Sequence, residues 1–73
     1  MKPGSLVTPS GGSIHLYEFV EPYLGPFGST MFFGEFGITI ESRISHWDIL
    51  YLKVVTSDGK VGWLRGEKVE VLQ

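Results

Sequence analysis

Seventy-three residues without a cysteine make one small domain that neither a disulfide nor a thiolate metal site can stabilise. Hydrophobic residues at 42% and aromatic residues at 14% exclude a disordered chain, and no apolar run is long enough to span a membrane. The net charge is −2 and the cations are not concentrated, which argues against a protein that binds nucleic acid mainly through charge.

Glycine and proline recur too often for helices. The longest interval without either runs from Ile38 to Asp58; residues 38–41 alternate between apolar and polar, and residues 49–55 are mostly β-branched, aromatic or aliphatic. Short apolar segments between turn signals predict an all-β barrel or sandwich, with residues 1–73 in one domain. We predict strands at residues 5–8, 14–20, 30–33, 37–43, 49–56, 60–65 and 69–72.

Residues 25–37, GPFGSTMFFGEFG, hold four of the five phenylalanines and four of the ten glycines. Phe27 lies between a proline and a glycine, which predicts a turn. Phe32 and Phe33 are consecutive, so on a strand they would point to opposite faces and only one would enter the core. Two alternatives remain open: a lid packed across one barrel opening, or an exposed patch that contacts a protein.

The dipeptide Asp58-Gly59 predicts a tight turn, because apolar-rich segments flank it on both sides. The two segments then form a β-hairpin. We expect five side chains of this hairpin to be buried, three on one face of the first arm and two on one face of the second: Leu50, Leu52, Val54, Val61 and Trp63.

Residues 51–72, YLKVVTSDGKVGWLRGEKVEVL, resemble the end of an SH3-like small barrel of the bacterial kind. Such barrels finish with a strand, a polar turn, a Gly-Trp-hydrophobic strand, a short helical turn and a last strand. Residues 15–19, HLYEF, are similar to the ALYDY strand of the eukaryotic domains, and residues 3–7, PGSLV, resemble the first turn of KOW-type barrels in ribosomal and phage proteins. The resemblance implies a single SH3-like barrel of five to seven short, mostly antiparallel strands.

The resemblance does not carry over polyproline binding, which uses a groove of aromatic side chains and one proline. Tyr17 and Tyr51 fit two positions of that groove. Arg65 and Lys68, however, stand where such domains have the proline and a further tyrosine. The resemblance therefore implies a non-catalytic binding or assembly module with a different ligand.

No pattern of residues predicts an active site, a metal site or a cofactor. His15 and His46 are the only histidines, and neither has ligands at the usual close spacing. Ser45, His46 and Asp48 are near neighbours in sequence, so they cannot form a catalytic relay. Residues 25–37 lack the lysine of a phosphate-binding loop. An enzyme would require a deep pocket in which a histidine meets a carboxylate.

We expect a cytoplasmic protein, because no signal-peptide run follows the N-terminus, and the small size and stand-alone start suit a phage or mobile-element protein. Trp63 is predicted in or near the core, whereas Trp47 either makes contacts or folds over the barrel end. The predicted partner is a protein or a second copy of the chain, and the predicted contact residues are Tyr17, Tyr23, Phe27, Phe33, Trp47 and Tyr51.

Nucleic acid is the alternative partner, bound in the manner of KOW-type barrels by cations beside exposed aromatic rings. A steep loss of affinity with added salt would favour this alternative over a protein contact. The cations predicted to carry it are Arg43, Lys53, Arg65 and Lys68.

Overall fold

The described part of the chain forms seven short strands, as predicted from the sequence. The structure is a computed structural model that describes residues 4–20 and 25–73, with the backbone alone at Phe27. A single turn of 3-10 helix, Gly66–Lys68, precedes the last strand. The strands are β1 (Leu6–Pro9), β2 (Ile14–Tyr17), β3 (Phe27–Met31), β4 (Gly37–Ile44), β5 (Leu50–Thr56), β6 (Val61–Arg65) and β7 (Val69–Val71).

All seven strands belong to one antiparallel sheet in the order β3-β2-β6-β5-β4-β1-β7, which curls into a half-barrel. The predicted all-β fold of short antiparallel strands is therefore confirmed. Residues 4–20 and 25–73 contain no helix long and apolar enough to cross a membrane.

The β5–β6 hairpin forms at the predicted turn. Its register runs from Tyr51 opposite Arg65 to Val55 opposite Val61. Gly59, and not Asp58, has the positive φ, at 90°. Thr56 stabilises the turn, since its hydroxyl donates to the Asp58 carboxylate and accepts the Lys60 N–H at 3.0 Å.

The main core lies inside the curl of the sheet. Its fully buried side chains come from β1, β2, β3, β5 and β6, which between them form most of the sheet. Since each buried aliphatic side chain contributes about 1.5 to 3 kcal/mol, this cluster is the main source of stability. Its members are Val7, Leu16, Met31, Leu52, Val54 and Leu64.

A second, smaller cluster covers the opposite face of the sheet, and it corrects the predicted hairpin packing. Trp63 is buried as expected, at 6% exposure, but it packs with Tyr51 and Val20 rather than with the main core. Leu64 takes the inward position on β6 instead, because successive strand residues point to opposite faces. Val61, on the same face as Trp63, is 51% exposed and not buried as predicted.

The third strand begins earlier than predicted. Phe27 starts β3 opposite Tyr17 instead of lying at a turn. Ile14 pairs with Met31, which is fully buried, and β3 ends there. The core position expected of Phe32 or Phe33 is therefore filled by methionine, and both phenylalanines lie beyond the strand.

Candidate functional site

The connection from β3 to β4, residues 32–36, exposes three phenylalanine rings to solvent. Phe32 is 57% exposed, Phe33 is 67% exposed and Phe36 is 46% exposed. We call residues 32–36 the phenylalanine loop. Large apolar side chains clustered on the surface of a small domain are typical of contact sites.

The phenylalanine loop is a hydrogen-bonded turn. The Glu35 N–H donates to the Phe32 carbonyl at 3.0 Å, and Gly34 at the third position has a φ of 94°, as in a type II turn. The Glu35 carboxylate accepts the Phe32 N–H at 2.6 Å and closes the turn from the other side. Phe33 is therefore held at the tip of the turn.

Three further contacts fix the loop to the body of the domain. The Thr8 hydroxyl donates to the Glu35 carbonyl at 2.8 Å, and the Ser57 N–H donates to the Phe36 carbonyl at 3.2 Å. Lys60 forms an ion pair with Glu35 at 2.9 Å and lies 4.9 Å from the centre of the Phe32 ring. Strand β1 and the β5–β6 turn thus fix the backbone of the loop, and Lys60 lies against one of the three rings.

Acid should weaken this anchorage. The Phe32 N–H, and after it the Lys60 ammonium, hold the pKa of Glu35 below its usual range. A depressed carboxylate pKa contributes stability above the unfolded-state value of about 4.3 and loses it as the pH falls through the folded-state value. Between about pH 5 and pH 3 the free energy of unfolding should therefore fall less in Glu35→Gln than in the wild type.

Urea unfolding at each pH measures this difference. A residual slope will remain in Glu35→Gln, because the Thr56 hydroxyl, and after it Lys60, also lower the pKa of Asp58. The matched control is Glu41→Gln, which removes a carboxylate from an exposed pair with Arg43. Identical pH dependence in Glu35→Gln and wild type would show that the Glu35 anchor does not stabilise the fold.

Trp47 is also exposed, at 75%, but it lies in a different loop from Phe33. It belongs to the β4–β5 connection, where the Ser45 hydroxyl accepts the N–H groups of Trp47 and Ile49 at 3.2 and 3.3 Å. Its ring stacks at a tilt on His46, with 4.8 Å between ring centres. Trp47 therefore does not fold over the barrel end.

The remaining predicted contact residues differ in what the structure shows. Tyr51 is 5% exposed, so its ring contributes to packing and offers no exposed contact area. Tyr17 is half-buried and packs against the same cluster. Tyr23 lies outside the described residues, as does the side chain of Phe27.

Three of the four predicted cations share one face of the sheet. Tyr17 and Lys53 both pair with Trp63, while Arg43 and Arg65 both pair with Tyr51, so all six side chains point the same way. The Arg43 guanidinium lies 5.4 Å from the Trp63 ring centre and the Lys53 ammonium lies 6.0 Å from it. Both cations thus pack on a ring that is itself buried.

Carboxylates partly neutralise the positive charge on the sheet face that carries Arg43, Lys53 and Arg65. Arg43 pairs with Glu41 at 3.5 Å, and Arg65 pairs with Glu67 at 3.3 Å. The hydrogen bond to Tyr51, and after it the one to Glu67, raises the pKa of Arg65. Since Trp63 and Tyr51 are buried, the ring faces that a nucleobase would stack on are not open.

Lys68 lies away from Trp63 and lines a groove between the β1–β2 loop and residues 65–68. The groove has a volume of about 380 Å³. His15 contributes to its wall, but no carboxylate does so among the described residues. We call it the basic groove; the polar and charged side chains that line it are Ser10, Ser13, His15, Tyr17, Arg65 and Lys68.

Sequence reasoning left open whether residues 25–37 form a lid or an exposed patch, and the structure shows three exposed rings there. The basic groove was not predicted. No three histidine, aspartate or glutamate side chains in the described part of the chain stand close enough to hold a metal ion. No family model, no curated protein and no solved structure matches this chain.

Proposed function

We propose that this protein is a non-catalytic binding or assembly module that contacts another protein chain through the phenylalanine loop. The observation that carries the proposal is the exposure of Phe32, Phe33 and Phe36, at 57%, 67% and 46%, on one anchored turn. Phe33 belongs to the predicted contact set, and Phe32 and Phe36 extend it.

The anchorage of the loop supports a contact role. A loop whose backbone is already held in place loses little conformational freedom when a partner covers it, so more of the burial appears as affinity. Here the turn hydrogen bonds, the Glu35–Lys60 pair and the Thr8 contact hold the backbone that carries the rings before any partner arrives. Exposed aromatic side chains of this kind carry most of the binding energy at many interfaces.

Self-association is the simplest contact for the phenylalanine loop, because it requires no second kind of protein. An apolar patch is complementary to itself, and a two-fold axis brings the same patch of both copies together. Electrostatic repulsion between the two copies is small, because the charged groups beside the rings, Lys60 and Glu35, are already paired with one another within each copy. We therefore propose self-association through the phenylalanine loop.

Light scattering across a range of protein concentrations tests this proposal. The wild type should gain mass with concentration, whereas Phe33→Ser should weaken association by about tenfold or more, as expected for loss of an aromatic anchor. Its free energy of unfolding should stay within about 0.5 kcal/mol of wild type, because the ring is exposed.

Ile44→Ser is the matched control, since Ile44 is equally exposed, at 66%, but lies at the end of β4 and outside the loop. It should associate like the wild type. A wild type that stays monomeric to about 1 mM would rule out self-association of useful strength. Equal weakening in both variants would assign the contact to general surface hydrophobicity instead of the loop.

The finer fold assignment is also a proposal: we propose that the half-barrel is SH3-like. Its support is the order of the last parts, in which β5, a polar turn, β6, the 3-10 turn Gly66–Lys68 and β7 follow one another as in the bacterial members. An experimental structure superimposed on such barrels tests it. A different strand order in that structure would refute it.

Nucleic-acid binding is a second candidate, favoured by the gathering of Arg43, Lys53 and Arg65 on one face of the sheet. Binding of a single-stranded oligonucleotide should then weaken steeply with salt, and Lys53→Gln should reduce the salt slope by about one. If oligonucleotide binding does not depend on salt, or if the salt slope is unchanged in Lys53→Gln, the protein contact remains the proposed function.

A further inference from the structure

We propose that the basic groove binds the phosphate group of a small phosphorylated molecule. Two cationic residues, Arg65 and Lys68, line it together with residues that carry hydroxyl groups, and no carboxylate among the described residues lines it. In a chain of net charge −2, a groove with this lining is a place where an anion is favoured. The groove shares no residue with the phenylalanine loop, so the inference does not depend on the proposed function.

The first residue of the β1–β2 loop, Ser10, is hydrogen-bonded to the backbone of Lys68. The Ser10 N–H and the Ser10 hydroxyl both donate to the Lys68 carbonyl, at 3.0 and 3.1 Å. The pairing of Pro9 with Val69 in the β1–β7 ladder places this contact at the end of the sheet. The loop and the 3-10 turn thus form two fixed walls of the same groove.

The backbone of the loop is open to a ligand. A Cβ atom built on Gly11 or Gly12 would meet nothing within 4 Å, so the space beside these two Cα atoms is open. Gly12 has a φ of 93°, which lets the chain turn between two serines. The backbone N–H groups of the two glycines and the Ser13 hydroxyl are the kinds of donor that phosphate oxygens accept from, whereas both donors of Ser10 are already bonded to the Lys68 carbonyl.

The ion pair of Arg65 with Glu67 does not prevent this role. The Arg65 side chain is 43% exposed and the Glu67 side chain is 67% exposed, and such a surface pair is worth at most a small free energy. A phosphate monoester carries about −1.5 to −2 charge at pH 7 and offers a guanidinium stronger hydrogen bonds. Arg65 can therefore exchange Glu67 for a phosphate.

The size and the apolar wall of the groove indicate more than inorganic phosphate. A volume of about 380 Å³ lies within the range of small-molecule sites, roughly 300 to 1,000 Å³. Half-buried Ile14 and Tyr17 line the groove beside the cations, so a sugar or ring attached to the phosphate has apolar surface to cover. A nucleoside monophosphate has the chemistry that this lining accepts.

The test is a titration of the ¹⁵N-labelled full chain with a nucleoside 5′-monophosphate, followed by amide chemical shifts in low salt. We expect saturating shifts at Gly11, Gly12 and Ser13, and weaker binding of inorganic phosphate at the same amides. The free nucleoside should not saturate. Because each lost charge-assisted contact is a large fraction of such a binding energy, Lys68→Gln should weaken binding by about tenfold or more.

Two control variants show whether the phosphate is bound in the basic groove. Lys68→Arg retains the charge and should bind within about threefold of wild type. Lys53→Gln removes the same charge from the sheet face and should leave the affinity within about twofold. Equal loss in Lys53→Gln and Lys68→Gln, shifts that do not saturate, or equal shifts from the free nucleoside would each overturn the proposal. Tighter binding of an oligonucleotide that depends on Lys53 would assign the cations to nucleic acid instead.

Discussion

Replacing Leu52 with alanine should remove a large part of the free energy of unfolding of the domain. Leu52 is fully buried at the centre of the main core, between β4 and β6 in the sheet. Truncating such a leucine costs about 2 to 5 kcal/mol, since the lost transfer energy is joined by the energy of the cavity left behind. A domain of this size has a total stability of only about 5 kcal/mol, so the loss is comparable to the whole.

Urea unfolding followed by fluorescence measures this loss. Trp63 is buried and Trp47 is exposed, so a Trp47→Phe background leaves the buried indole as the reporter. The control is Ile44→Ala, which removes an aliphatic side chain of equal size that is 66% exposed and should change the free energy of unfolding by about 0.5 kcal/mol or less. A Leu52→Ala protein as stable as that control would mean that the main core is not where the structure places it.

The methyl group added by Gly62→Ala should disrupt the β5–β6 hairpin more than a methyl group added at any other position in it. Strand β2 crosses so close to β6 that a Cβ on Gly62 would lie 2.7 Å from the Leu16 Cβ and 3.2 Å from the Tyr17 carbonyl oxygen. Relief requires a backbone shift, because the groups in the way are backbone or directly attached to it. Overpacking of this kind destabilises by about 1 to 3 kcal/mol, which exceeds the roughly 0.4 to 1 kcal/mol that alanine gains by restricting the unfolded chain.

Gly11→Ala is the matched control and should have the opposite sign. A Cβ there meets nothing within 4 Å, and Gly11 does not have a positive φ. Only the unfolded-state gain remains, so the free energy of unfolding should stay the same or rise by up to about 1 kcal/mol. If both alanine variants changed stability alike in thermal unfolding, the close approach of β2 to β6 would be refuted.

Local signals in the sequence predicted the strands and the last hairpin. Asp58-Gly59 lies between two apolar runs, and these neighbouring residues alone are enough to predict the turn. The 3-10 turn at Gly66–Lys68 and the strand after it also lie where the resemblance to SH3-like barrels put them.

The packing of the two sheet faces was not predictable in the same way. In β5 and β6 both faces carry apolar residues, so the alternation that normally identifies the inward face gives no answer for Trp63 or Val61. The position of Phe32 and Phe33 depends on Ile14 pairing with Met31, a contact between distant segments. The basic groove likewise joins Ser10 to Lys68, which are 58 residues apart.

The contact between β2 and β6 determines whether the β2–β3 hairpin can unfold separately from the rest of the sheet. Their ladder contains a single pair, Tyr17 with Trp63, so the hydrogen bonds alone would let the β2–β3 hairpin peel away from the sheet. Peeling, however, exposes Leu16 and Met31, and re-solvating two fully buried side chains costs about 3 to 6 kcal/mol. That is comparable to the total stability of about 5 kcal/mol expected for a domain of this size. These two side chains therefore couple the opening of the β2–β3 hairpin to the loss of the main core.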